Sequence, residues 1–234
     1  MDVQIFGSSS KGNCYRLMAG SSPILLEAGL PWKEIQRGCG FKTSELAGCL
    51  VSHGHQDHAR AVPDLLKAGV DCYMSAGTAE ALGVSGHRVH IVRPLEQFEI
   101  GECIVLPFDA VHDAPEPLNF LLAHKNGIKA VYITDTAYCK YRFRDLTHIL
   151  IEANYALDLL SQNVQDGTVP VDMKKRLLKT HMSLETCKGF LRANDLSKVE
   201  AIYLLHLSDN NSDAERFKRE IQELTGKEVY IAGT

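Results

Sequence analysis

No stretch of the 234-residue sequence approaches the roughly 18–20 apolar residues that a membrane-spanning helix needs. The start, MDVQIFGSSSKG, lacks a positive segment followed by an apolar core, so no secretory signal is expected. A basic excess is missing too. Lys and Arg number 25 against 29 Asp and Glu, for a net charge of −4. That excludes a general cationic coat for nucleic acid but leaves room for a local patch. There is no CxxC pair, and the seven cysteines are scattered and odd in number. They are expected to be reduced, mostly buried thiols of a cytosolic (cytoplasmic) protein. Low-complexity segments and long Pro/Gly-rich linkers are absent, so residues 1–234 are expected to form one domain. With 45% hydrophobic and 23% charged residues, the composition excludes a disordered, collagen-like or coiled-coil chain.

The first half reads as strands punctuated by turns. Strands are expected at Val3–Phe6, at Tyr15–Met18 and Ile24–Glu27 across a Gly20–Pro23 turn, and over Leu46–Ser52. Ala61–Ala68 has helical spacing with Gly69 as its stop, and Thr78–Leu82 reads as a short helix. Further strands are expected at Cys72–Ser75, Val89–Val92, Gln97–Ile100, Cys103–Ala110 and Phe120–His124. Asn126–Gly127 signals a hairpin joining the last of these to Lys129–Ile133. In the second half, Ile149–Glu152, Ala201–Leu205 and Glu228–Ile231 read as strands. Leu157–Gln162 and Val171–Leu178 read as helices, and Ser183 is placed to cap another. Ser212-Asp-Ala-Glu215 reads as a capping box for a helix stopped by Gly226. Strands with helices at intervals indicate an α/β layered domain.

The densest chemistry is Val51-Ser-His53-Gly-His55-Gln-Asp57-His58, between an apolar strand and a helix. From an extended loop, His53 and His55 can point the same way, while Asp57 and His58 turn with the incoming helix. Imidazole and carboxylate suit Zn²⁺, Fe or Mn²⁺. A His-rich polar surface loop is the bland alternative, and chance seldom gives this density at a strand end.

This HxHxDH segment resembles the signature of the metallo-β-lactamase-fold hydrolases. The likeness extends through Phe108-Asp-Ala-Val-His112, Val131-Tyr-Ile-Thr-Asp135 and Ile202-Tyr-Leu-Leu-His206, over nearly the whole chain. It implies a four-layer αββα sandwich, two mixed β-sheets with helices outside. It implies two divalent metal ions, Zn or Mn. His53, His55 and His112 would hold one, Asp57, His58 and His206 the other, and Asp135 would bridge them. A bridging carboxylate offsets repulsion between dications about 3.5–4 Å apart, and such a pair lowers the pKa of a bridging water to give hydroxide. Glu152, ending Ile149-Leu-Ile-Glu152, and His181 in Thr180-His-Met-Ser183 resemble the tRNase Z side of the superfamily, where a Glu–His pair protonates the leaving oxygen. The implied catalytic residues are Asp57, His181 and Glu152. Thr180-His-Met-Ser and Leu205-His-Leu-Ser look alike, so either histidine could supply the last metal ligand; His206 follows the more convincing strand.

Gly7-Ser-Ser-Ser-Lys-Gly-Asn13 is not a Walker loop, but its free N–H groups can hold a phosphate, making Ser9, Ser10 and Asn13 candidate substrate-binding residues. An ordinary tight turn is the equal alternative. Together with Leu25-Leu-Glu27-Ala-Gly29 this loop resembles the YycJ/WalJ branch, where aspartate usually stands at the position of Glu27. Ser208, Asn210 and Asn211 precede a helix N-terminus, either an anion site or a plain capping loop. Lys140, Arg142 and Arg144 alternate with Tyr141 and Phe143, a pattern able to pair with and stack on a nucleotide strand. Lys174, Lys175, Arg176 and Lys179 are a second basic run, more often a solvated helix face.

The resemblance implies a two-metal phosphodiesterase acting on nucleic acid, a DNA exonuclease, with DNA as partner, no membrane and a homodimer. Hydrolysis of a cyclic nucleotide or other small phosphodiester is the first alternative. A glyoxalase-type thioester or lactone hydrolase is the second, weakened because no C-terminal helical domain follows His206. A non-enzymatic binder is disfavoured by the intact ligand set. The Gly/Pro-rich tRNA-gripping arm of tRNase Z is missing, and the stretch from Asp135 to His206 is too short for a β-CASP domain. Asp135 stands where the main lactamase class has cysteine.

Overall fold

Apolar residues in short runs between turn signals make strands here, and the parallel ones read as near-continuous hydrophobic segments because both faces are covered. In the computed structural model, which describes residues 1–233, the strands form two mixed sheets flanked by helices, β1–β6 in one and β7–β13 in the other. The chain packs as two compact units.

The first unit comprises residues 1–109, 114–128 and Gly233. β1 (Asp2–Ser9) and β2 (Gly12–Met18) form an antiparallel hairpin with Ser9 opposite Gly12, so only Ser10 and Lys11 make its turn. β3 (Ile24–Leu26) returns antiparallel to β2, as the Gly20–Pro23 turn predicts. β4 (Gly48–Leu50), β5 (Cys72–Met74) and β6 (Val89–Ile91) then add in parallel. Parallel neighbours need crossovers. These are supplied by α1 (Trp32–Gly38), α2 (Gln56–Ala59) with α3 (Val62–Lys67), and α4 (Ala76–Leu82). Leu25, Ile35, Val51, Val62, Leu65 and Met74 fill the core between them. β7 (Phe98–Ile100), β8 (Cys103–Asp109) and β9 (Leu118–His124) run antiparallel. The Asn126–Gly127 turn forms after β9, with His124 N–H donating to the Ile128 carbonyl.

The second unit comprises residues 110–113 and 129–232. β10 (Lys129–Ile133), β11 (His148–Glu152), β12 (Ala201–Leu205) and β13 (Glu228–Ile231) lie side by side and all parallel. Every residue of β11 is buried. The helices are α5 (Leu157–Gln165), α6 (Val171–Thr180), α7 (Leu184–Ala193) and α8 (Ala214–Thr225).

Ser183 caps α7 as expected, its hydroxyl accepting from Thr186 N–H. The cap of α8 is a correction. The side chain that accepts the orphan N–H, from Arg216, belongs to Asp213 rather than Ser212, whose hydroxyl instead donates to the Ser208 carbonyl. Asp213→Ala is therefore expected to cost about 1 kcal/mol, read as a fall in denaturation midpoint at unchanged slope.

Candidate metal centre

In the first unit the ligand-rich segment begins where β4 ends. His55 is extended (φ −67°, ψ 148°) and acts as the N-cap position of α2, so Asp57 and His58 fall in its first turn. The negative Asp57 is favourable there, beside the orphan N–H groups. Ring nitrogens of His53 (Nε2) and His55 (Nδ1) converge to 3.0 Å, and Ser52 Oγ lies 2.9 Å from His53 Nδ1. His58 is fully buried. Its Nε2 is 3.0 Å from Asn13 Nδ2 and 3.4 Å from Asp57 Oδ2, and its Nδ1 is 3.6 Å from Glu27 Oε2.

Glu27 gains its place from the parallel pairing of β3 and β4. Its N–H donates to Leu50, and its carboxylate accepts from the Ser52 N–H, at the start of the histidine loop. It sits at φ 63°, in the left-handed region. Ala28 N–H donates to the His58 carbonyl, and Gly29 N–H to Asn13. A Cβ on Gly29 would fall 1.7 Å from the carbonyl oxygen of Asp57. The Glu27-Ala-Gly29 segment thus braces the ligand loop by its backbone, its carboxylate and a missing side chain. Gly29→Ala must displace that loop, and at least about 3 kcal/mol of destabilisation is expected, the upper end of overpacking costs. A thermal melt with little change would refute the bracing role.

In the second unit three parallel strands deliver the groups at one level. Asp135 follows β10, Glu152 ends β11 and His206 follows β12, with Ile133 paired to Ile151 and Glu152 to Leu205. The carboxyl ends of parallel strands are where α/β sheets place their sites. Asp135 (φ 39°) and His206 (φ 53°) both adopt left-handed backbone, costing of order 1–3 kcal/mol each and clustering typically at functional sites. Asp135 Oδ2 lies 3.5 Å from His112 Nε2, and its Oδ1 lies 3.5 Å from His206 Nδ1.

His112 is fixed by the Thr180 carbonyl 2.8 Å from Nδ1. A carbonyl only accepts, so Nδ1 carries the proton and Nε2 keeps its lone pair. Burial lowers the pKa of His112, overcoming the opposite pull of Asp135, and so favours the neutral ring that a metal needs.

Glu152 is fully buried and hydrogen-bonded on both oxygens. Oε2 accepts from the Thr136 and Met182 N–H groups, and Oε1 lies 2.6 Å from His181 Nδ1. Burial opposes its charge, but His181 outweighs it by charge and hydrogen bond, so the carboxyl pKa is lowered. Burial equally opposes protonation of His181, yet the Glu152 and Asp135 carboxylates raise its pKa. With Nδ1 held by Glu152, the exchangeable proton of this imidazole is the one on Nε2. Asp135, Glu152, His181 and His206 form one group in this unit able to hold a cation.

The seven residues expected as metal ligands all belong to His/Asp groups of this kind. Their donors are imidazole nitrogen and carboxylate oxygen without thiolate, a set that fits a divalent metal of the Zn or Mn type. The expected substrate residues are placed as follows. Ser10 is exposed in the β1–β2 turn, and Ser9 Oγ accepts from Lys11 N–H. Asn13 is fully buried, its amide donating to the Ser9 and Asp57 carbonyls as well as facing His58, so it props the ligand loop. Asn210 is exposed, whereas Asn211 is buried between Ser208 Oγ and the Asn163 amide. Asn154 is a support that the sequence does not announce: its amide donates to the His206 carbonyl (2.8 Å) and lies 3.2 Å from His206 Nδ1. Its only sequence signal is its place two positions after Glu152.

Residues 31–207 match the beta-lactamase superfamily domain. The chain is 28% identical over 225 residues to exodeoxyribonuclease WalJ of Streptococcus pneumoniae, covering 89% of this chain and 82% of that protein. It is 26% identical over 253 residues to exodeoxyribonuclease YycJ of Bacillus anthracis, covering 100% and 92%. Among solved structures, the metallo-beta-lactamase fold protein YhfI from Bacillus subtilis superposes with a TM-score of 0.72 at 15% identity, covering 99% of this chain and 97% of that one. At that identity the likeness is one of fold.

Proposed function

The chain belongs to the beta-lactamase superfamily, and from that premise we propose that it is a metal-dependent phosphodiesterase that degrades DNA as an exonuclease. Its exodeoxyribonuclease relatives support the substrate class. The observation that carries the chemistry is the Glu152–His181 pair beside Asp135 at the ends of three parallel strands. In this reading residues 1–234 are one domain, since the family match runs through both units.

His53, His55 and His112 are assigned to one metal ion, Asp57, His58 and His206 to a second, and Asp135 to both. When bound, two such ions, Zn²⁺ or Mn²⁺, would supply a nucleophile at neutral pH and offset charge on the phosphodiester. The chain's own groups do the rest. Glu152 holds the His181 ring by Nδ1, and His181 delivers the Nε2 proton to the leaving oxygen. Ser9 at the end of β1 and Ser10 in the β1–β2 turn, with Ser208 and Asn210 before α8, are assigned to substrate phosphates, and Asn13 and Asn211 to shaping those loops. The seven cysteines are free and six of them are buried, which supports a cytosolic enzyme. No helix among the described residues is long and apolar enough to cross a membrane.

The test is cleavage by metal-loaded protein of end-labelled single- and double-stranded DNA, RNA and cyclic mononucleotides. Stepwise loss from one DNA end is expected. Turnover of cyclic nucleotides alone would move the substrate to a small diester. Silence on every substrate with metal bound would reopen thioesters and lactones.

A further inference from the structure

We propose that the cleft between the 138–142 loop and α7 is a nucleotide subsite, holding one base and its adjacent phosphate from a single DNA strand. The proposal rests on the reading of the chain as a DNA-degrading enzyme and adds where the strand is gripped. The cleft has a volume of about 330 Å³ and is lined by Tyr138, Lys140, Tyr141, Arg142, Gly189 and Phe190, among others. It lies wholly in the second unit. Three aromatic rings and two cations line it, and among the described residues no carboxylate does. That is the composition that single strands select: rings for bases and cations for phosphates.

The loop is built to hold this shape. Thr136 Oγ1 donates to the Tyr138 carbonyl at 2.9 Å, and Ala137 N–H donates to Val111. At the far end Phe143 N–H donates to Asn194 Oδ1 at 2.7 Å, and the Phe143 ring leans on Phe190. Tyr138 is 51% exposed, and Lys140 Nζ stands 5.1 Å from the centre of the Tyr141 ring. The loop leaves directly from Asp135, so a strand lying in the cleft is close along the chain to the residue assigned to both metals.

Gly189 is the independent sign. Glycine in a helix interior is unfavourable relative to alanine and needs a reason. Here no neighbour supplies one, because a Cβ at Gly189 would meet nothing within 4 Å. What its bareness preserves is the open cleft on that side of α7.

The test is binding of a fluorescent thymidine oligonucleotide with a hydrolysis-resistant phosphorothioate backbone to the metal-loaded protein, followed by anisotropy across a salt series. Gly189→Leu should fill the cleft and weaken binding about tenfold, within the range set by removal of one base stack. The same variant should melt at or above the parent temperature, because leucine favours helix over glycine. Lys140→Ala with Arg142→Ala should flatten the dependence of log affinity on log salt by about 0.7 for each phosphate no longer neutralised. An abasic strand should bind parent and Gly189→Leu alike. Unchanged affinity and slope in these variants, with the parent still binding DNA, would overturn the subsite and leave the nuclease reading intact. A parent that hydrolyses bis(p-nitrophenyl) phosphate but binds no strand would remove the nucleic-acid reading and the subsite together.

Discussion

Asp135→Ala is expected to release metal and to cut DNA hydrolysis by more than about 10³-fold, the scale on which loss of a preorganised charged group is felt. Asp135 is buried, lies within 4 Å of ring nitrogens of His112, His181 and His206, and accepts from its neighbour Thr134. No other carboxylate of the second unit faces all three rings at these distances among the described residues. Alanine also sits poorly at φ 39°, so a loss of fold must be told apart from a loss of charge. Asp135→Asn separates them. Asparagine tolerates left-handed backbone and matches the volume while removing the negative charge. Both variants should show depleted metal by elemental mass spectrometry, with Asp135→Asn melting near the parent in the metal-free state. Full activity in Asp135→Asn with metal retained would sink the assignment of Asp135 to both ions.

His181→Ala is expected to keep its metals and slow turnover about 10²–10⁴-fold, the usual worth of a positioned proton donor. Nδ1 is tied to Glu152 at 2.6 Å, and Glu152 is itself tied to two backbone N–H groups, so the ring is aimed and its Nε2 proton is the mobile one. A substrate whose leaving group needs no proton, such as a p-nitrophenyl diester, should lose far less than DNA does. Glu152→Gln should reproduce part of the defect through the ring it orients. Loss of a metal from His181→Ala would instead make His181 a ligand. That outcome has a basis in the fold, since His181 and His206 stack at 5.5 Å and share the Asp135–Glu152 group.

Much of this architecture is legible in the sequence because it is local. The strands at 103–109, 148–152 and 201–205 are apolar runs cut off by turn signals, and the Ser183 cap needs only one hydroxyl before a helix. Helix α1 is not legible. It is seven residues long, buries only Ile35 and is preceded by Pro31 at the N-cap position, which offers no side-chain cap, so it has neither periodicity nor a capping signal. The misplaced cap of α8 has a different cause. Ser212 and Asp213 are both good N-caps by type, and the choice is made by backbone, Asp213 being extended at φ −133°, ψ 103° while Ser212 turns back to Ser208. The ligand residues stand out by density and order. Their supports do not, because Asn13, Glu27 and Asn154 reach the histidines through pairings such as Asn13 with His58 that no spacing encodes.

The way the chain is shared between the units limits how the protein can be divided. It crosses from one to the other at 109/110, 113/114, 128/129 and 232/233, so neither unit is a continuous fragment. A cut in the exposed Asn126–Gly127 turn would leave Val111 and His112 on the N-terminal piece, while their partners, the Thr136 hydroxyl and the Thr180 carbonyl, stay on the other. The 110–113 segment would then be severed from residues 129–232, the rest of the unit to which it belongs. Such halves are natural partners for fragment complementation, in which activity reports reassembly rather than either piece alone.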